Sequence, residues 1–309
     1  MLLQAEFTLL GVSLMLSLHT NNASLSAQNS IAKTQSQLST SMTRLSTGYR
    51  INSAMDDAAG LQIATRLKAQ TSGMTVAMSN TQNSTSMLQT AEGAFGEVTN
   101  MLVRMKDLAT QAADASSNTD DQKAMQAEFD ALGAELYNIM TNTTFGGSKL
   151  LGDGAGTAGS ATLSTTMTFQ IGASSSEKMS IDVSGGMSSL NTALKAVSTK
   201  FQTTAPTTAG TEIASGTAAN TMIKTLADAI DNVGTVRSAL GAAANRLDHI
   251  NSNLSNISTN TKAATGRIMD VDFATESSNM TSSQMLLQAG TAMLKQSNSM
   301  SSMVMSLLQ

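Results

Sequence analysis

Cysteine and tryptophan are absent from this 309-residue chain, proline occurs once (Pro206), aromatic residues make up 3% and charged residues 13%. The missing cysteine excludes disulfides and thiolate metal sites. The shortage of aromatics argues against the sculpted, ring-lined pockets on which most enzymes of this size depend. A formal net charge of −4 and no Lys/Arg cluster on any periodic face leave no footprint for nucleic acid. With only two histidines, His19 and His249, and no HExxH, GxSxG or P-loop, neither zinc chemistry nor a nucleophile has a motif. The stretch 154–159, GAGTAG, matches GxGxxG in letters but has no strand before it or helix after it, so it reads as a loop. No enzyme activity, cofactor or metal is expected. The opening run, MLLQAEFTLLGVSLMLSL, lacks a basic leader and is too short to span a bilayer, which takes about 20 apolar residues. No membrane insertion is expected.

What is abundant is aliphatic bulk, much of it methionine, at 22 residues. From Leu88 through Ala91, Phe95, Val98, Leu102, Met105, Ala109 and Ala112 the apolar positions step by three and four, the heptad signature of one helix seam. Helical character extends back to about Leu61, giving a segment approaching roughly 80 Å at ~1.5 Å per residue. A second helix is predicted from near Asp120, with Thr119 and Gln122 at capping-box spacing and a seam of Met125, Phe129, Leu132, Leu136 and Ile139. Alternation then replaces heptads: Met167, Phe169 and Ile171, then Met179, Ile181 and Val183, predict a β-hairpin. Residues 202–217 read as an exposed loop. The helical period returns through Leu226, Ile230, Val233, Val236, Leu240, Ala243, Leu247, Ile250, Leu254 and Ile257. A last helix passes Leu286, Met293, Met300, Val304 and Leu307.

The fold class is therefore mainly α, with long N- and C-terminal coiled-coil helices paired into a rod around a small central β-hairpin region. Near the acidic pair Asp56-Asp57, Ser53 and Asp56 form a cap pattern, so the pair starts a helix, with Gly48 and Gly60 as bends. Both ends are poor in charge for surface helices: Lys33 alone between Met15 and Thr43, Lys295 alone between Ser278 and Gln309. In a homopolymer, each face meets the same sequence from a neighbour, and uncharged polar faces avoid like-charge contacts. Leu38, Met42, Leu45, Leu286, Met293, Met300, Val304 and Leu307 are the candidate polymerisation seams, on segments expected to be marginal alone and helical on assembly.

The segments LSTGYRINSAMDDAAGLQIATRL, FGGSKLL, MTFQIGA, DFATESSNM, QAGTAML and the final VMSLLQ resemble bacterial flagellins, in order and at both ends of the chain. The resemblance implies a secreted filament subunit for motility, exported through the flagellar type III apparatus and polymerising with copies of itself. It also implies as partners an export chaperone, the filament cap and the hook-associated junction proteins. Residues 15–46 with 275–309 would form the inner coiled-coil domain, 47–183 with 217–274 a helical domain with the β-hairpin, and 184–216 a short exposed insert like that of small lateral or swarming flagellins. Residues 1–14 lie outside the family pattern and read as an upstream extension before Met15. LVRMKDLATQ and MQAEF resemble the segments recognised by host Toll-like receptor 5, with Arg104, Leu108 and Glu128 at the matching positions and Arg104 and Leu108 one turn apart. A hook–filament junction protein, or from another class a type III needle-tip or translocator protein, are the alternatives.

Overall fold

A computed structural model describes residues 21–152, 161–202 and 208–307. The expectations for residues 1–14, Met15, His19, the GAGTAG stretch and Pro206, and for the side chains of Val304 and Leu307, fall outside what is described. The elements in chain order are α1 (Asn22–Thr47), α2 (Ala58–Ala112), α3 (Thr119–Asn142), β1 (Thr144–Phe145), β2 (Ser148–Lys149), a 3-10 turn (Thr162–Ser164), β3 (Met167–Gln170), β4 (Lys178–Ile181), α4 (Ser184–Val197), α5 (Gly216–Met269) and α6 (Phe273–Leu307). They fall into two compact units, divided at Leu67/Lys68 and at Lys262/Ala263.

The central unit is built on the predicted seams. Every α2 position from Leu88 to Ala112 named above is at most 2% exposed, and Leu226, Val233, Val236, Leu240 and Leu247 of α5 join the same core. Heptad steps drift against a helix of 3.6 residues per turn, and the drift shows at the end of this run. There Ser258 is buried and Ile257, expected on the seam, is exposed. On α3 the inward face is Gln126, Phe129, Gly133, Leu136 and Met140, with Met125, Leu132 and Ile139 at its edges. The cap of α3 lies one residue before the expected one. Asn118 accepts from the Asp120 and Asp121 N–H groups, and the Asp121 carboxylate accepts from the Asn118 N–H, completing a capping box.

The hairpin β3–β4 has Met167 opposite Ile181 and Phe169 opposite Met179, with Met167, Met179 and Ile181 buried. A second, unpredicted hairpin pairs Thr144 with Lys149 and Phe145 with Ser148. Gly146 (φ +57°) and Gly147 (φ +85°) turn it, the left-handed pair that two-residue hairpins favour. The stretch 184–216, expected as an exposed insert, is different. Its first half is α4, whose Met187, Leu190, Leu194 and Val197 are at most 1% exposed, and Phe201 and Ile213 beyond it are also buried in the core. Steps of three, four and three make these an apolar helix face, which must be covered.

The terminal unit pairs α1 with α6. Gly48 (φ +77°) ends α1 in the left-handed conformation, its N–H bonded to the Arg44 carbonyl. The chain then crosses to the residues between α5 and α6 through an antiparallel bridge, Tyr49 to Asp270, with Val271 N–H to Gly48 O at 3.0 Å and Arg50 N–H to Met269 O at 2.6 Å. The acidic pair divides its work. Asp56 accepts from the Asn52 and Ser53 N–H groups at 3.0 and 2.9 Å, fixing the preceding turn, while Asp57 caps α2 by accepting from the Gly60 N–H at 2.8 Å. The cap is thus Asp57 rather than Ser53. Gly60 is no bend. It sits in the first turn of α2, where a Cβ would lie 2.4 Å from the Asp57 carboxylate and 2.9 Å from buried Ile51.

Candidate assembly surface

The α1–α6 pair is joined by small and polar side chains. Asn21 donates to the Ser297 carbonyl at 3.2 Å, Ser24 donates to Asn298 Oδ1 at 3.1 Å, and Arg44 lies 3.8 Å from the buried Glu276 carboxylate. Between these contacts the helices approach closely, since a Cβ on Gly290 would come 2.9 Å from Ile31. Ser24, Ile31, Leu38 and Leu45 recur at heptad spacing, so Leu38 and Leu45 share the face that α1 turns to α6, and both are half-buried. The α6 start is set by Asp272, whose carboxylate accepts from the Thr275 hydroxyl at 2.7 Å and the Ala274 N–H at 3.0 Å. Those bonds hold the Asp272 carboxyl below its ordinary value.

Four further sequence-predicted seam residues are left uncovered. Met42, Leu286, Met293 and Met300 are exposed, and so are Leu25, Met285 and Met303. At about 100° per residue, Met285, Leu286, Met293, Met300 and Met303 fall within an arc of roughly 100° on α6. Buried Glu276 and Ser283 lie on a different side, towards α1. Around the stripe the helix carries hydroxyls and amides, and many hydroxyls are already bonded along the backbone. Thr281 donates to the Ser277 carbonyl and Thr291 to the Gln288 carbonyl; on α1, Thr34, Thr40, Thr43 and Thr47 each donate to the carbonyl four residues earlier. A hydroxyl satisfied in this way can be buried by a neighbour at much lower cost than an unpaired one.

In the central unit, Arg104 and Glu128 meet as an ion pair, Nη2 to Oε1 at 2.6 Å and Nε to Oε1 at 2.7 Å, tying α2 to α3. Both are about half exposed. Leu108 differs: it is 2% exposed, one turn from Arg104 but directed into the core, so the three do not share a surface. Sequence reasoning also missed a buried polar junction on α3. Gln126 donates to Asp130 at 2.7 Å and to Glu212 at 2.8 Å while accepting from the Ile213 N–H, and Asp130 accepts from the Gly210 N–H. Lys200 stands 3.8 Å from Asp130 and donates to the Thr208 carbonyl. Burial raises the Glu212 carboxyl, but the hydrogen bonds from the Thr199 N–H, the Thr199 hydroxyl and Gln126 outweigh it, leaving the group below its ordinary value. Apart from the Gln126–Asp130 bond within α3, the bonds named here tie the residues on either side of 203–207 to α3 or to one another. Among the described residues no group of three or more His, Asp or Glu could hold a metal ion, and no helix is long and apolar enough to cross a membrane.

Comparison with known proteins decides the family. The model of the bacterial flagellin N-terminal helical region matches residues 18–155, and that of the C-terminal helical region matches residues 223–308. The chain belongs to the bacterial flagellins. Flagellin A of Vibrio anguillarum is 34% identical, covering 95% of this chain and 100% of that protein. The flagellin of Halalkalibacterium halodurans is 36% identical over 94% of this chain and 98% of its own length. A solved structure from Vibrio parahaemolyticus described as a flagellar hook-associated protein aligns with a TM-score of 0.54, covering 70% of this chain and all of that one. At 17% identity it shows a shared fold alone. Flagellins are structural proteins that polymerise into the extracellular flagellar filament, and this chain is a subunit of that kind. Whole-length matches to flagellins favour that role over a junction or needle-tip protein.

Proposed function

We propose that the subunit enters the filament through its terminal helices, with the exposed α6 stripe of Met285, Leu286, Met293 and Met300 seated on copies of itself. Val304 and Leu307 continue the stripe at register positions, and Met42 of α1 adds to the contact beside Leu38 and Leu45. The observation that carries this reading is a continuous apolar stripe on a helix whose only charge from Thr281 to Leu307 is Lys295. A lone soluble helix would be expected to surround such a stripe with charge. In this reading residues 15–46 with 275–309 form the inner domain, and residues 47–183 with 217–274, now joined by α4, form the next. The subunit travels through the flagellar type III apparatus with an export chaperone and is added beneath the filament cap, above hook-associated junction proteins. An encounter with host Toll-like receptor 5 would use exposed Arg104 and Glu128, with Leu108 supporting them from within.

Seeded elongation followed by electron microscopy tests the proposal. The Leu286→Asp, Met293→Asp double variant is expected to keep the helical circular dichroism of the parent and to fail to extend seeds. Elongation at the parent rate would overturn it.

A further inference from the structure

The chain has no cysteine and 22 methionines, so thioethers are its only sulfur. Their distribution between the two units is uneven. In the central unit the eleven methionines from Met74 to Met222 are all buried or partly buried. Among the described residues the exposed ones are Met42, Met55, Met285, Met293, Met300 and Met303, all of them in the terminal unit, at 52–96% exposure. Four of the six lie on the α6 stripe, exposed to water, where their apolar character is the feature an assembly contact would use.

We infer that this stripe is an oxidation site that switches assembly competence. It rests on the reading that the stripe is a subunit contact. In the reaction the thioether sulfur attacks one oxygen of hydrogen peroxide. An S–O bond forms, the O–O bond breaks, and the departing hydroxide takes the remaining proton as water; sulfur loses two electrons and peroxide gains them. The product is a polar, chiral sulfoxide in place of a flexible apolar side chain, a change that disrupts methionine-rich interfaces and is reversible by methionine sulfoxide reductases. Selectivity follows from exposure. The core thioethers are shielded, so a subunit can lose its assembly face without losing its fold. Once a neighbour covers the stripe, the same methionines are protected, so peroxide arrests growth at the level of free subunits and spares existing filament.

The test exposes full-length subunit and preformed filament separately to hydrogen peroxide, maps sulfoxides by peptide mass spectrometry, and measures elongation on untreated seeds. The expected result for the subunit is early oxidation at Met285, Met293, Met300 and Met303, unchanged helical circular dichroism, loss of most elongation, and recovery after treatment with the two sulfoxide reductases. In filaments those four positions are expected to oxidise more slowly than exposed Met55. A variant with all four replaced by Leu, compared with its own untreated rate, should lose none of that rate to peroxide, whereas Met55→Leu should lose most of its rate as the parent does. Oxidised subunit that elongates normally, sensitivity retained in the four-Leu variant, or core methionines oxidising as fast as the stripe would each overturn the switch. If the Leu286→Asp, Met293→Asp variant elongates normally, the contact assignment has failed, which is a separate outcome from the stripe oxidising without effect while that variant is inactive.

Discussion

The two units bury different chemistry. In the central unit, long seams of Leu, Phe, Val and Met from α2, α3, α4 and α5 close on one another until most are inaccessible. In the terminal unit, the buried positions on α1 and α6 include Ser24, Ser41, Ser283 and Glu276, while the large apolar side chains Leu25, Met42, Met285, Leu286, Met293, Met300 and Met303 face out. Burial of apolar area is the main driving force for folding, at about 25 cal/mol per Å². The central unit has therefore used its apolar surface within one chain, whereas in the terminal unit much of it stays exposed, where the proposed assembly contact would use it. On that proposal stability and assembly are separable by mutation.

The largest intramolecular effect is expected from the central core. Phe129→Ala should cost about 3–5 kcal/mol in denaturant unfolding, because a fully buried ring leaves a cavity that its helical neighbours cannot close. Its effect on seeded elongation should follow from the folded fraction alone. Next is the polar junction on α3. Gln126→Ala leaves the buried Ile213 N–H without its acceptor and should cost about 1–3 kcal/mol.

The same junction gives a pH dependence. Because the folded-state value of Glu212 lies below its unfolded one, the stabilisation it brings is complete above the unfolded value and is lost as pH falls through the folded one. Wild type should therefore lose more stability than Glu212→Gln between neutral and strongly acidic pH, measured by denaturant midpoints across that range. A parallel loss in both would assign the acid sensitivity elsewhere.

In the terminal unit, Asp57→Ala removes the α2 cap and should cost about 1 kcal/mol, read by the same unfolding assay. The smallest effect is expected from Arg104→Ala, about 0.2–1 kcal/mol and weaker in high salt, since both partners of that ion pair are half exposed. A cost well above this range would show that the pair clamps α2 to α3 more strongly than its exposure implies.

Periodicity carried most of the architecture from the sequence, because a buried helix face must repeat every three or four residues whatever else the chain does. The α2 seam from Leu88 to Ala112 is legible for that reason, and so is the alternation of Met167, Phe169, Met179 and Ile181. The α4 seam obeyed the same rule, but Ser and Gly around Met187 and Leu190 masked it as loop composition. The Gln126 junction was not legible at all: its partners lie four, 86 and 87 residues away, and no local pattern announces a polar cluster assembled by tertiary packing. Leu108 shows the converse difficulty. One turn of separation from Arg104 put both on adjoining helix positions, and only packing decides that one is ion-paired at the surface while the other is buried. On the assembly surface the exposed stripe was readable from spacing and charge poverty together, whereas the share of Leu38 and Leu45 in the α1–α6 contact required the placement of Asn21, Ser24 and Ile31 against α6.

The central claim is that α1 and α6 are incompletely covered in a single molecule and gain their full burial from identical neighbours. Amide hydrogen exchange read peptide by peptide, on dilute subunit and on filament grown from it, measures this directly. The account predicts rapid exchange along α1 and α6 in the dilute subunit, slow exchange in the core segments of α2 and α5, and strong protection of α1 and α6 only in the filament. Terminal helices as protected as the core in dilute subunit, with no change on polymerisation, would contradict it.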